Sequence, residues 1–348
     1  MLDRLFVPAL TLLTGLAAFG PATADDGPAD RPGAVTGSKT ASPPDWFKES
    51  FLDIAEDVSE AADSDKHLIL FMEMNGCPYC YKMMEENFKG SSYSDFIQKR
   101  FDVIALNVRG DREVAIDEET SLTEKALADQ LGVRYTPTLL FLNQANEPVA
   151  RINGYRNVDD FKQVLEYVDA KAYQDQTLAA YLEARKSEGT YSPRPHEQIK
   201  EASEISDLSK IQGPLALLFE DASCVACAAL HDGHLRVPEV RDALGKFTVV
   251  RMDTLSDAFI TAPDGSSTTQ KQAAHDFGVE YRPTLLLFDE GKEIARIEGM
   301  LYRYHFVGLL EYVGEQQYKA HPGGPFDYIN SKTAALTAEG KDVAISDE

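Results

Sequence analysis

LILFMEMNGCPYC, Leu68 to Cys80, and LALLFEDASCVAC, Leu215 to Cys227, are the two stretches whose comparison decides the fold. Each runs from a short apolar segment into two cysteines separated by two residues, and Cys224 lies 147 positions after Cys77. The likeness continues downstream. LGVRYTPTLLFL from Leu131 matches FGVEYRPTLLLF from Phe277, Ala150-Arg151-Ile152 matches Ala295-Arg296-Ile297, and the LEYV at Leu165 recurs at Leu310. A period this long that occurs twice describes two whole domains rather than a stack of small repeats.

Within each copy the pattern alternates between strand and helix. In the first, Phe47, Phe51, Ile54 and Val58 recur at helical spacing after Pro43-Pro44, with Asp45 as the expected N-cap. Leu68 to Met72 reads as a buried strand, and the cysteine pair opens a helix. Phe101 to Val108 reads as a strand and Thr123 to Leu131 as a helix; a hairpin around Asn143 to Pro148 and a helix from Val158 to Tyr173 complete the unit, with one more helix allowed over Leu178 to Arg185. The fold class is therefore α/β, with a central mixed sheet flanked by helices in each of two tandem domains.

The chain has 348 residues, of which 43% are hydrophobic, enough for two ordinary cores. An apolar run from Leu5 to Phe19 followed by Ala22-Thr23-Ala24 has the form of a signal peptide cleaved after Ala24; the run is short for a bilayer span and contains Pro8 and Gly15. We expect residues 1–24 as signal peptide, 25–42 as a flexible Gly/Pro/Ala/Asp-rich leader, 43–186 as the first domain, 187–198 as linker, 199–330 as the second domain and 331–348 as a polar tail. The formal charge of −23 repels nucleic acid and anionic lipid, so neither a nucleic-acid partner nor stable membrane insertion is expected.

Four cysteines in an exported chain ordinarily suggest structural disulfides, but a C-x-x-C loop is too small to restrict the unfolded chain much. A strand, then C-x-x-C at a helix start, then X-Pro-Thr about 60 residues on, leading into another strand, resembles the thioredoxin fold. MEMNGCPYC and YTPTLLF make the first domain similar to the SoxW-type periplasmic thioredoxins, which usually have one such domain, while CVAC is similar to the electron-delivering C-terminal domain of DsbD-type reductases.

A free cysteine near pKa ~8.5 holds little thiolate at neutral pH, and a helix N-terminus favours the anion. Cys77 is therefore the expected nucleophile and Cys80, one turn along, the resolving sulfur, with Cys224 and Cys227 as a second or relay pair. The resemblance implies that Pro137 and Pro283 are cis prolines facing the cysteines, and that Thr136 and Arg282 before them pair with substrate backbone. The buried aspartate of ordinary thioredoxins is replaced by Phe71 and Leu218. Glu73 and Glu220, four residues before their first cysteines, are either proton relays or simply charges at strand ends. Arg282 would stabilise a Cys224 thiolate and prefer an acidic partner, or instead pair with Glu220 or Asp221.

His231 and His234 stand at C-x3-H-x2-H spacing after Cys227, which offers a zinc set; against it, a pair held by this fold is aligned for exchange, so no metal and no cofactor is expected. The family implies a periplasmic protein-disulfide reductase that takes electrons from a membrane thiol donor and passes them to oxidised periplasmic clients. The opposing readings are a client-binding, chaperone-like module, or a redox domain joined to a metal-binding one. The Pro78-Tyr79 dipeptide is typical of glutaredoxins, yet no glutathione surface is legible.

Overall fold

The computed structural model describes residues 31–117, 119–185 and 191–347. The expected signal peptide lies outside them. The first sheet has the order Phe101–Asn107, His67–Glu73, Thr138–Leu142, Pro148–Asn153, with its first two strands parallel and the others antiparallel. The second repeats it as Thr248–Asp253, Leu215–Glu220, Thr284–Asp289, Lys292–Glu298, and adds Ile199–Glu201 in parallel at the outer edge.

Side-chain alternation makes each sheet two-faced. Ile69 and Phe71 face the layer that contains Cys77, Cys80, Phe88 and Phe161, while Leu68, Leu70 and Met72 face the opposite core with Leu127 and Leu140. Ala216 and Leu218 take the first role in the second domain, and Leu215, Leu217 and Phe219 the other. Phe71 thus stands in the layer beneath the first cysteine pair, and that layer is dry where an aspartate was expected to be missing.

Three expectations are corrected. The first helix does not begin at Asp45: it runs Ile54–Asp63, with the Asp53 carboxylate accepting the Glu56 N–H at 3.0 Å. Leu52 at φ 65° breaks the helical path, so Phe47 turns inward while Phe51 is fully exposed. The boundary at 330 falls inside a helix, Pro325–Ala338, which packs on Arg303–Gly314. Gly308 permits that approach, since a Cβ there would lie 2.6 Å from Ile329 Cγ1. Finally, the expected leader and tail pair with each other, Val35–Thr36 lying parallel to Val343–Ala344. Sparse anchors such as Ile329 and Val343 suffice to dock a stretch whose average composition is polar.

The expected linker is also partly built in. Tyr191 donates its N–H to the Ala222 carbonyl at 2.9 Å, and the Arg194 carbonyl accepts from Arg251 at 2.5 Å. Among the described residues no helix is long and apolar enough to cross a membrane.

Candidate functional site

Cys77 is the N-cap of helix Pro78–Met83, and its Sγ accepts the Cys80 N–H at 3.0 Å. Proline at the first helical position loses no helical hydrogen bond. The Thr136–Pro137 peptide is cis, and Cys77 Sγ lies 3.4 Å from Thr136 Oγ1 and 3.5 Å from its carbonyl oxygen. Thus the expected residues of the first site meet across 59 positions of sequence. Cys77 and Cys80 are joined as a disulfide.

The second site repeats the frame. Cys224 caps Val225–Asp232, its Sγ accepts the Cys227 N–H at 3.1 Å, the pair is joined as a disulfide, and the Arg282–Pro283 peptide is cis. Arg282 does not stand as a free cation. Its Nε lies 2.7 Å from Asp221 Oδ2, and Asp221 is fully buried, with Ser223 and Thr254 also donating to it. Burial works to raise the Asp221 pKa, but Arg282 and these donors outweigh it and hold the carboxyl below its ordinary range. Of the two roles open to Arg282, pairing within the site is the one adopted, which weakens the case for an acidic partner. Asp221 itself was not expected as more than an optional partner, and its signal was its place beside the cysteines.

Glu73 and Glu220, equivalent in sequence, differ in their surroundings. Glu73 has no side-chain partner among the described residues, and burial lifts its pKa to about 7. Glu220 is fully buried and accepts from Arg251 Nε at 2.5 Å and His231 Nε2 at 3.0 Å. Its carboxyl group is thus fixed in place by two side chains from elsewhere in the domain. His231 is thereby turned to Glu220, and His234 Nε2 donates to the Leu301 carbonyl at 2.7 Å. Both histidines that a zinc set would need are engaged elsewhere, His231 with Glu220 and His234 with the Leu301 carbonyl.

The sites also differ in cover. Pro78 and Tyr79 between the first cysteines are buried, whereas Val225 is 66% exposed. The second domain makes the difference. Tyr79 stacks on Tyr302 at 4.8 Å, accepts the Tyr302 backbone N–H at 2.8 Å and lies 3.0 Å from His305 Nδ1. Burial pushes the His305 pKa down to about 4, so at neutral pH the imidazole is uncharged. Tyr302 occupies the N-cap of Arg303–Gly314 without a side-chain cap bond, whereas Asn157 at the corresponding place in the first copy caps its own helix. That asymmetry is the one sequence signal for the contact, and it is unreadable without knowing that the domains meet there.

A family model described as a thioredoxin-like domain matches residues 54–169 and again 202–314. Among solved structures, the chain is similar to a thioredoxin-fold protein from Helicobacter pylori, at 23% identity over 36% of this chain and 86% of that one, with TM-score 0.30. It is also similar to a thioredoxin from Thermus thermophilus, at 25% identity over 34% of this chain and 82% of that one, with TM-score 0.27. A third is thioredoxin f from spinach chloroplast, at 24% identity over 41% of this chain and 96% of that one, with TM-score 0.22. No curated protein matches the chain. Two domains of this kind, each with a C-x-x-C pair, support a thiol–disulfide oxidoreductase.

Proposed function

The chain belongs to the thioredoxin-like domain family, and from that premise we propose that it is an exported protein-disulfide reductase with two redox sites. The observation that carries this reading is the convergence, in both copies, of a helix-capping cysteine, its partner one turn on and a cis-proline loop. This geometry favours a thiolate at the first cysteine, since its sulfur already accepts an N–H of the helix it caps. A reduced Cys77 or Cys224 attacks a client disulfide, forming a mixed disulfide as the client S–S bond breaks and the leaving client thiolate is protonated. Cys80 or Cys227 then attacks that bond, releases the client dithiol and closes the pair. Two electrons pass to the client, and a dithiol donor, by family resemblance a membrane thiol carrier, restores the pair. At the first site Cys77, Cys80 and Tyr79 are all buried, and a client reaches Cys77 once Tyr79 leaves the second domain.

The test uses chains that retain one pair. In a chain whose Cys224 and Cys227 are serine, Cys77→Ser abolishes client reduction, while Cys80→Ser accumulates mixed disulfides. Equilibration of that pair with glutathione should give roughly −200 to −270 mV, whereas roughly −120 mV marks an oxidant and reverses the direction. Client binding that survives loss of all four cysteines, with no reductase activity in the intact chain, supports the chaperone-like reading instead.

A further inference from the structure

Cys224 opens on a groove of about 650 Å³ that neither domain forms alone. One wall is the second domain, with Ser223 to Ala226 and Arg282; the other comes from the first domain, with Tyr155, Asp159 and Asp160. Between the first cysteines, by contrast, Tyr79 is packed against Tyr302 and His305 of the second domain. The groove's charge is unbalanced. Its lining carries the carboxylates of Glu86, Asp159, Asp160 and Glu280 against the guanidiniums of Arg185 and Arg282. Arg282 is neutralised by Asp221, and Arg185 lies with its guanidinium carbon 3.4 Å from the Tyr181 ring centre. Lys82 offsets Glu86 at 3.9 Å and Arg156 acts on both Asp160 and Glu280, so that with Arg185 counted the lining keeps a modest acidic excess carried by Asp159, Asp160 and Glu280. Tyr281, which also lines the groove, packs its ring against the Arg156 guanidinium, whose carbon is 3.8 Å from the ring centre.

We infer that this groove is the docking site for an extended, cationic polypeptide segment bearing the disulfide that Cys224 exchanges with. The inference rests on the oxidoreductase reading and names the client class at one of its two sites. Lysine or arginine side chains of the client meet Asp159 and Asp160 on the wall opposite the sulfur and Glu280 on the second domain's own side, while Val225 and Ala226 give the near wall a small apolar rim. Asp160 and Glu280 are half-buried and Asp159 is exposed, so a cationic occupant gains by charge complementarity. Burial holds the Asp160 pKa above its ordinary range and, with Glu298 adding to it, lifts that of Glu280 to about 7, in both cases against the pull of Arg156. The same field disfavours anionic thiols such as glutathione, whose net charge at neutral pH is negative. In the exchange, the client disulfide gains two electrons and two protons, and the Cys224–Cys227 dithiol is oxidised to its disulfide.

The test uses the full chain with Cys77 and Cys80 replaced by serine and the second pair reduced. Two disulfide peptides are compared that differ only in lysines or glutamates flanking the cysteines, with acid-quenched thiol counts as readout. The lysine peptide should oxidise the pair at least tenfold faster at low salt. That ratio should fall towards one at high salt and in Asp159→Asn combined with Glu280→Gln, since charge steering is screened. Equal rates for the two peptides at low salt, or a ratio unmoved by the double substitution, overturn the proposal. An uncharged small disulfide run beside them separates the two levels: its exchange with the reduced pair upholds the oxidoreductase reading whatever the peptides do. Its failure to react removes that reading and this proposal together.

Discussion

Thr136 and Arg282 hold the same place in the two copies, but only the arginine brings a charge, and that charge is spent on Asp221. Removing one partner of a buried ion pair leaves the other uncompensated, at about 3–5 kcal/mol. Arg282→Thr should therefore destabilise the second domain by up to that amount and raise the Cys224 pKa, because a bare Asp221 carboxylate then repels the thiolate. Thiolate absorbance titration of the reduced protein measures the second effect; an unmoved titration means that the pair is not coupled to the sulfur. Glu73 presents the opposite case, an acid with no partner and a pKa near 7 instead of 4.5. The folded state thus holds a proton that the unfolded state releases above pH 4.5, and stability falls as pH rises from there to about 7. Glu73→Gln should remove that loss, gaining about 1–2 kcal/mol at pH 8 and nothing at pH 4 after allowance for partial exposure. Denaturant titrations at the two pH values test the sign. If Glu73 also relays protons, the same variant lowers the exchange rate at the first site and flattens its pH profile.

At the scale of elements, Arg251 does in the second domain what no described residue does in the first. From strand Thr248–Asp253 it reaches Glu220 on the neighbouring strand, Glu201 on the added edge strand and the Arg194 carbonyl. One guanidinium thus ties three strands to the segment that enters the domain. Its planar fork of donors suits this task where a lysine would not. Arg251→Ala should lower the stability of the second domain by about 3–5 kcal/mol by stranding buried Glu220. Arg251→Ala with Glu220→Gln should recover part of the loss, and a double-mutant cycle in denaturant measures the coupling. Additive losses would show that the two residues act independently. Their roles are hidden in the alignment of the copies, because Glu73 and Glu220 look alike in the sequence and only the cation opposite distinguishes them.

At the scale of the molecule, the first site is closed by the second domain and by the two ends of the chain. Ser38 donates to the Gly76 carbonyl at 3.2 Å, Ala41 is buried in the layer of Cys77, and the leader strand pairs with the C-terminal strand. Asp347 accepts the Arg303 N–H at 2.8 Å, next to the tyrosine that holds Tyr79. Arg156 adds an ion pair to Glu298 at 3.1 Å across the same boundary. Tyr79→Phe removes the hydroxyl from both Tyr302 and His305, at about 1–3 kcal/mol for the polar groups left without it. In a chain retaining only the first pair, this variant should speed reduction of Cys77–Cys80 by a small dithiol several-fold. An unchanged rate would show that the second domain does not limit access.

The sequence by itself determined the duplication, the α/β class, the strand that leads into each cysteine pair and the helix that each pair opens. These follow from local periodicity and from residues whose spacing is set by one turn of helix. The resemblance to the thioredoxin fold also pointed to Cys77 and Thr136, which meet at the first site. Only the tertiary structure decided what each site residue faces. Arg282 is neutralised by Asp221 and Glu220 is held by Arg251, while Glu73 has no side-chain partner among the described residues. The same holds for the enclosure of Tyr79, for the groove at Cys224 and for the union of leader with tail. Such contacts join positions tens to hundreds of residues apart, and composition or periodicity within a short window contains no term for which distant surfaces come together or how their charges balance.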